Sequence, residues 1–152
     1  MEITPKIQDT ITAGLQPIIQ ELEKYKYLPL APIALSEKSY YNVTRSLYIS
    51  FEKTENRDHH ADLIALLSIP ESTWELSIAL FKDFRSCHLS VLMPDLPQHK
   101  DPQVLIFQHD DDPKVLSANM KKTVDALLEI MGTDFQPYLS GEKWANANLE
   151  RP

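Results

Sequence analysis

The stretch SYYNVTRSLYISFEK, residues 39–53, decides the fold class because its apolar and polar residues alternate. A period of two places every second side chain on the same face of a β-strand. β-Branched and aromatic residues, which strands favour, are frequent in it. The apolar face, interrupted at Arg45, consists of Tyr41, Val43, Leu47, Ile49 and Phe51. The pattern predicts a strand with one buried and one solvent-facing side.

Two apolar stretches that follow are predicted as neighbouring strands. Residues 61–69 are largely apolar and stop early at Pro70, which favours a buried strand over a short helix. Residues 72–83 alternate, with the apolar side chains at Trp74, Leu76, Ile78 and Leu80. Ser72 and Glu75 also satisfy the capping box that opens many helices, so a helix is the alternative for this stretch. We favour the strand.

Two more strands and a loop complete the predicted sheet. Residues 103–109 are interpreted as a short buried strand, and residues 85–94 as a strand with apolar positions at Cys87, Leu89, Val91 and Met93. Residues 94–102 contain three prolines, which predicts an exposed loop. Consecutive strands joined by short turns form an antiparallel meander. The sequence therefore predicts an antiparallel meander of four to five strands.

A helix is predicted on each side of these strands. Thr4 and Pro5 suit the start of the first helix, whose apolar stripe is Ile7, Ile11, Leu15, Ile18, Leu22 and Tyr25. Pro17 lacks an N–H group, which predicts a kink or two abutting helices. The second helix is predicted to begin at Pro113 and to end with Gly132 in a left-handed conformation. Its predicted apolar side is Val115, Ala118, Val124, Leu127, Leu128 and Met131.

These elements predict an α+β fold in which an N-terminal and a C-terminal amphipathic helix pack on one face of the sheet. We expect residues 1–134 to form a single domain. Residues 135–152 form a C-terminal tail with three large apolar side chains, Phe135, Tyr138 and Trp144. These either pin the tail to the domain or anchor a partner, because tyrosine and tryptophan are enriched at binding hot spots.

The composition of the chain disfavours several classes of function. A net charge of −7 and a pI near 5.2 disfavour binding to nucleic acids and to anionic membranes. The N-terminal residues lack the basic start and apolar core of a signal peptide, and no run approaches the ~20 apolar residues of a membrane helix. A single cysteine, Cys87, is compatible with a reducing compartment. We expect a cytoplasmic protein.

The negative charge is concentrated in residues 95–112, which contain five aspartates against one lysine. An exposed segment of this kind attracts a basic partner or a cation. We therefore assign partner binding to three of the aspartates and to the aromatic residues of the tail: Asp101, Asp110, Asp111, Phe135, Tyr138 and Trp144.

The sequence FQHDDDPKVLSANMKK, residues 107–122, places a histidine and three aspartates ahead of the second helix. Asp112 before Pro113 suits an N-cap, and the two preceding aspartates suit the positive end of the helix dipole. The alternative is a metal site in which His109 and Asp110 combine with His59 or His60. Such a site requires the two loops to converge, and we favour the helix start.

No motif of a known reaction is found. Cys87 and His88 are adjacent on a predicted strand, so their side chains point to opposite faces and do not pair. Three glycines exclude a glycine-rich phosphate loop. We assign no catalytic residue, no metal ligand and no cofactor.

Three functions remain. The chain resembles bacterial immunity proteins and chaperones for secreted effectors in size, acidity and α+β pattern, a resemblance that covers no specific motif. It implies a non-catalytic protein that binds another protein, with a basic partner favoured. The first alternative is a metal-assisted hydrolase built on the histidines described above. The second is a subunit of a larger homo-oligomeric assembly that associates through the N-terminal stripe.

Overall fold

The computed structural model describes residues 3–30, 34–36, 44–55, 58–69, 71–82 and 85–144. It has the predicted α+β fold with an antiparallel sheet. The helices are α1 (Pro5–Gly14), α2 (Gln16–Lys24), α3 (Leu89–Leu92), α4 (Pro113–Gly132) and α5 (Gln136–Ser140). The strands are β1 (Tyr27–Pro29), β2 (Ala34–Ser36), β3 (Thr44–Lys53), β4 (His59–Ser68), β5 (Thr73–Lys82), β6 (Arg85–His88) and β7 (Ile106–Gln108). Tyr41 and Val43, predicted at the start of the first long strand, lie outside the described residues.

The sheet has the order β1-β3-β4-β5-β6, and all of its pairings are antiparallel. β2 pairs beside β1 along the outer edge of β3. At the opposite edge β7 pairs with the first residues of β5, Thr73–Glu75, and β6 pairs with its last residues, Ala79–Lys82. Within this stretch, Thr73–Lys82 form a strand, as favoured, and not a helix.

The two N-terminal helices abut as Pro17 predicts. Thr4 caps α1, since its hydroxyl oxygen accepts a hydrogen bond from the Ile7 N–H at 3.2 Å. Pro17 then stands in the first turn of α2, where its missing N–H leaves no intrahelical bond unmade. The stripe is buried from Ile7 to Leu22, with Ile7, Ile11, Leu15, Ile18 and Leu22 all in the core, and Tyr25 packs partly buried against it. These side chains are therefore not available for association with a second copy.

The helices cover one face of the sheet. The three long strands bury alternate side chains in the same cluster as the helix stripes. On β5, Trp74, Leu76, Ile78 and Leu80 have no exposed surface. Burying one such side chain completely contributes about 1.5–3 kcal/mol, so this layer is the main source of stability. Cys87 is part of it and is buried, as predicted.

The predicted strand over residues 85–94 is wrong beyond His88. The chain turns there into α3 and a following helical turn, Met93–Asp95. Helical spacing brings Leu89, Leu92 and Met93 into the core and leaves Val91 53% exposed. The sequence pattern assigned Val91 to the buried face of a strand. The apolar residues of this stretch fit the two-residue period of a strand as well as the 3.6-residue period of a helix.

The final strand and helix also differ in detail from the sequence prediction. β7 is limited to three residues, because Pro102–Leu105 form a helical turn. On α4, Val115 and Ala118 are exposed, and the buried face is Leu116, Met120, Thr123, Val124, Leu127, Ile130 and Met131. Gly132 is not left-handed. Gly141, with a φ of 88°, occupies that conformation at the end of α5.

The proline-rich segment over residues 94–102 is tied to the end of α4 by Asp134. One carboxylate oxygen of Asp134 accepts hydrogen bonds from the N–H groups of Gln98 at 2.7 Å and His99 at 2.9 Å. The ring nitrogen Nδ1 of His99 lies 3.1 Å from the same oxygen. Burial alone would raise the pKa of Asp134, but these hydrogen bonds outweigh it and lower the pKa. Leu96 is buried beside this clamp, so the segment is not wholly exposed.

We expect Asp134→Ala to reduce the free energy of unfolding by about 1–3 kcal/mol at pH 7, because it leaves two N–H groups without their acceptor. A lowered pKa stabilises the fold above the unfolded-state value, and this contribution is lost as pH falls through the folded-state pKa. Urea denaturation at pH 7 and in acid should show the difference from wild type shrinking in acid. Asp125→Ala, at an exposed position of α4, is the control and should change stability by less than about 0.5 kcal/mol. A pH-independent difference would contradict the role of the carboxylate charge.

Among the described residues, no helix combines the length and the apolar character needed to cross a bilayer.

Candidate protein-binding surface

The acidic turn before α4 is a helix start. The Asp112 carboxylate accepts a hydrogen bond from the Lys114 N–H at 2.9 Å, and Pro113 occupies the first turn. The Asp110 carboxylate accepts from the Asp112 N–H at 2.8 Å. Both aspartates thus satisfy backbone donors that a helix N-terminus leaves unpaired.

His109 is held between Trp74 and Asp111. Its Nδ1 accepts a hydrogen bond from the indole N–H of Trp74 at 2.9 Å. The other ring nitrogen, Nε2, lies 3.0 Å from a carboxylate oxygen of Asp111. A neutral imidazole with its proton on Nε2 satisfies both contacts. The side chain is only 4% exposed, so both ring nitrogens serve the fold and neither has a lone pair directed at solvent.

The histidines of the two loops do not converge. His60 is the second residue of β4 and pairs with Phe81 near the end of β5, whereas Gln108, next to His109, pairs with the first residue of β5, Thr73. At about 3.3 Å per residue, Thr73 and Phe81 are about 26 Å apart along the strand. The composite site of His109, Asp110 and His59 or His60 is therefore not formed. The part of the chain that the structure describes contains no group of three His, Cys, Asp or Glu residues that could hold a metal.

The acidic partner-binding candidates flank β7 at the surface. Asp101 caps the helical turn before β7, accepting from the Gln103 N–H at 3.0 Å, and is exposed. Asp111, after β7, has an 87% exposed side chain, and Asp110 is half-buried. Accepting a hydrogen bond leaves a carboxylate its charge, so the three residues form a negative rim at this edge of the sheet.

The described part of the tail packs on the domain. Phe135 has no exposed surface and stacks on Tyr138 with ring centroids 5.6 Å apart. Leu139 in α5 is also buried, and Trp144 packs half-buried against the core. Phe135 therefore pins the chain and has no surface to offer a partner, while Tyr138 and Trp144 keep part of theirs. Residues 145–152 lie outside the described part of the chain.

The sheet face opposite the helices is a surface that residue patterns did not single out. We call it the uncovered face. Its side chains alternate with the core residues along β3, β4 and β5, and they lie outside the core cluster. The larger ones are Leu28, Tyr48, Ile64, Leu66, Phe81 and Ile106. Ile106 also lines a pocket together with Lys122, Thr123 and Ala126 of α4.

The most exposed apolar groups of this face are at its β1 edge. Leu28 is 45% exposed, Leu30 is 55% exposed and Tyr48 is 37% exposed. Leu28 shares the face because it pairs with Glu52 of β3, and Leu30 continues that register, its N–H donating to the Ser50 carbonyl at 2.8 Å. Apolar side chains grouped in this way on a surface are typical of an interaction site.

The charges of the uncovered face have one sign. Its carboxylates are Glu52, Asp62 and Glu75, and the described lysine and arginine residues of its strands do not belong to it. The basic residues of the same strands, Arg45, Lys53, Lys82 and Arg85, fall on the opposite alternation. His60 and His88 lie on the same face, and His88 packs edge-on against Phe81 with ring centroids 6.0 Å apart.

Part of this surface was visible in the sequence. The alternation of residues 44–53 predicted a solvent-facing side for β3, which is the side that carries Tyr48 and Glu52. In β4 the residue pattern showed no sign of this face, because residues 61–67 are apolar except for Asp62 and so show no alternation.

Comparisons with protein-family models, with curated proteins and with solved structures find no match to this chain.

Proposed function

We propose that the protein acts by binding another protein that presents a basic surface, and that the uncovered face of the sheet is its binding site. One observation carries the proposal: this face combines apolar side chains with three carboxylates, and the described lysine and arginine residues of its strands fall on the opposite alternation. An apolar centre gives affinity when it is dehydrated, and complementary charge selects the partner.

The charge of the face argues for a basic protein over other partners. Phosphate groups of nucleic acids and anionic lipids would be repelled by Glu52, Asp62 and Glu75. A second copy, docked face to face, would oppose the same carboxylates to one another, which costs free energy instead of contributing it.

The negative rim adds to the negative electrostatic potential of the uncovered face. Asp101, Asp110 and Asp111 lie before and after β7, an edge strand of the sheet, and add charge of the same sign. Charges outside the centre of an interface act mainly on the association rate, which falls as salt screens them. Tyr138 and Trp144 remain secondary candidates for contact. Either an immunity-type inhibitor or a chaperone for a secreted protein would use such a surface.

Site-specific photo-crosslinking in the native cells tests this proposal. We expect a photoreactive residue in place of Tyr48 to form an adduct with a discrete protein. The same residue in place of Val115, on the outer side of α4, should form none. The two positions are matched in exposure, at 37% and 40%. In a lysate of the same cells, the adduct should also decrease severalfold between about 0.05 and 0.5 M salt, because screening weakens charge attraction. An adduct that is absent from position 48, or insensitive to salt, would overturn the proposal.

A further inference from the structure

Glu75 occupies an unusual position on the uncovered face. In the sheet it is paired on one side with Leu66 of β4 and on the other with Ile106 of β7. Directly paired residues of antiparallel strands point to the same face, so an aliphatic side chain stands on each side of this carboxylate. Glu75 is half-buried as a result.

The Glu75 carboxylate has no hydrogen-bond or ion-pair partner among the described residues, unlike the other two carboxylates of this face. Asp62 accepts a hydrogen bond from the Ser50 hydroxyl at 2.8 Å. Glu52 likewise has an interaction of its own. A carboxylate that is partly removed from water without a compensating donor is unfavourable.

The electrostatics agree with this geometry. Burial raises the pKa of the Glu75 carboxyl. A raised folded-state pKa means that the ionised group opposes folding once pH exceeds that value, so Glu75 costs stability at neutral pH. Functional sites commonly keep residues that lower the stability of the free protein.

We infer that Glu75 is the anchor of the uncovered face and receives a lysine or arginine side chain of the bound protein. The inference rests on the proposed function. A guanidinium group fits a carboxylate through two parallel hydrogen bonds, and an ammonium group pairs with it as a point charge. The aliphatic stem of either side chain packs against Leu66 and Ile106, which explains why apolar residues flank the acid. The partner segment is therefore one in which a basic residue stands among apolar residues.

The test combines crosslinking at position 48 with charge-neutralising variants of two carboxylates. Glu75→Gln keeps the shape and removes the charge, and we expect it to reduce the adduct by about tenfold or more. Asp62→Asn removes the same charge from the same face and is the matched control, with an expected reduction below about threefold. The thermal stability of Glu75→Gln should equal or exceed that of wild type at pH 7, which separates lost binding from lost folding.

The outcomes distinguish the anchor from the surface. An adduct at position 48 that persists in Glu75→Gln, or that falls equally in Asp62→Asn, overturns the anchor and leaves the proposed function standing. No adduct at position 48 in the otherwise wild-type protein overturns both. With the crosslinked segment identified by mass spectrometry, Glu75→Lys should abolish binding, and changing the basic residue of that segment to glutamate should restore it. Failure of this charge exchange also overturns the anchor.

Discussion

Phe135→Ala is expected to lower the free energy of unfolding by about 3–5 kcal/mol, because it empties a fully buried aromatic site at the junction of α4 and α5. The stacking of Phe135 on Tyr138 would be lost with it, and the α5 turn, with Leu139 buried beneath it, would lose its support. Urea denaturation followed by far-UV circular dichroism measures the change. Val115→Ala, on the exposed side of α4, should stay within about 0.5 kcal/mol of wild type.

This variant also decides between the two interpretations of the tail. A stability close to that of wild type, together with a lost crosslink at position 48, would mean that Phe135 acts on a partner and not on the core. The buried position predicts the opposite result. The stability of the variant falls, and its binding falls only in proportion to the folded fraction.

His109→Ala is expected to cost about 1–3 kcal/mol, because it leaves the buried indole N–H of Trp74 without an acceptor. The tryptophan emission should change as well, since Trp74 loses its hydrogen-bonded neighbour. His109→Asn should recover part of the loss, because its side-chain oxygen can take the place of Nδ1. His60→Ala, at the far end of β4, is the control and should leave the emission unchanged.

The same variant tests the metal hypothesis. Both ring nitrogens of His109 are engaged, so we expect no rise in melting temperature with Zn²⁺, Mn²⁺ or Mg²⁺ at millimolar concentration. A ligand bound only by the folded state raises its stability by RT ln(1 + [L]/Kd). A metal-dependent rise that disappears in His109→Ala would restore the metal site and remove the structural role assigned to this histidine.

Local rules applied along the chain predicted much of the fold correctly. Three predicted features depend on groups within a few residues of one another, and all three are present: the Thr4 cap, the break at Pro17 and the Asp112 cap. The choice of a strand over a helix was also right for Thr73–Lys82, because four alternating apolar side chains outweigh a two-residue capping pattern. Local rules failed at Val91 and Val115, where apolar residues fit two alternative faces and only the neighbouring elements select one.

The functional candidates divide in the same way. That Asp112 caps a helix follows from sequence neighbours, whereas the pairing of His109 with Trp74 joins residues 35 positions apart. The separation of His60 from His109 depends on which end of β5 each adjacent strand meets. Glu75 was noticed in the sequence only as part of a helix-capping pattern, yet its partners Leu66 and Ile106 come from two different strands.

The sequence by itself determined the α+β class, the solvent-facing side of β3, the helix starts and the acidic charge, because periodicity, capping and composition act over short distances along the chain. The tertiary structure alone decided which sheet face lies opposite the described helices, that the described lysine and arginine residues of its strands fall on the other face, and that Glu75 stands between aliphatic neighbours without a partner among the described residues. Those properties depend on strand order and register, which are set by packing between residues far apart in the sequence.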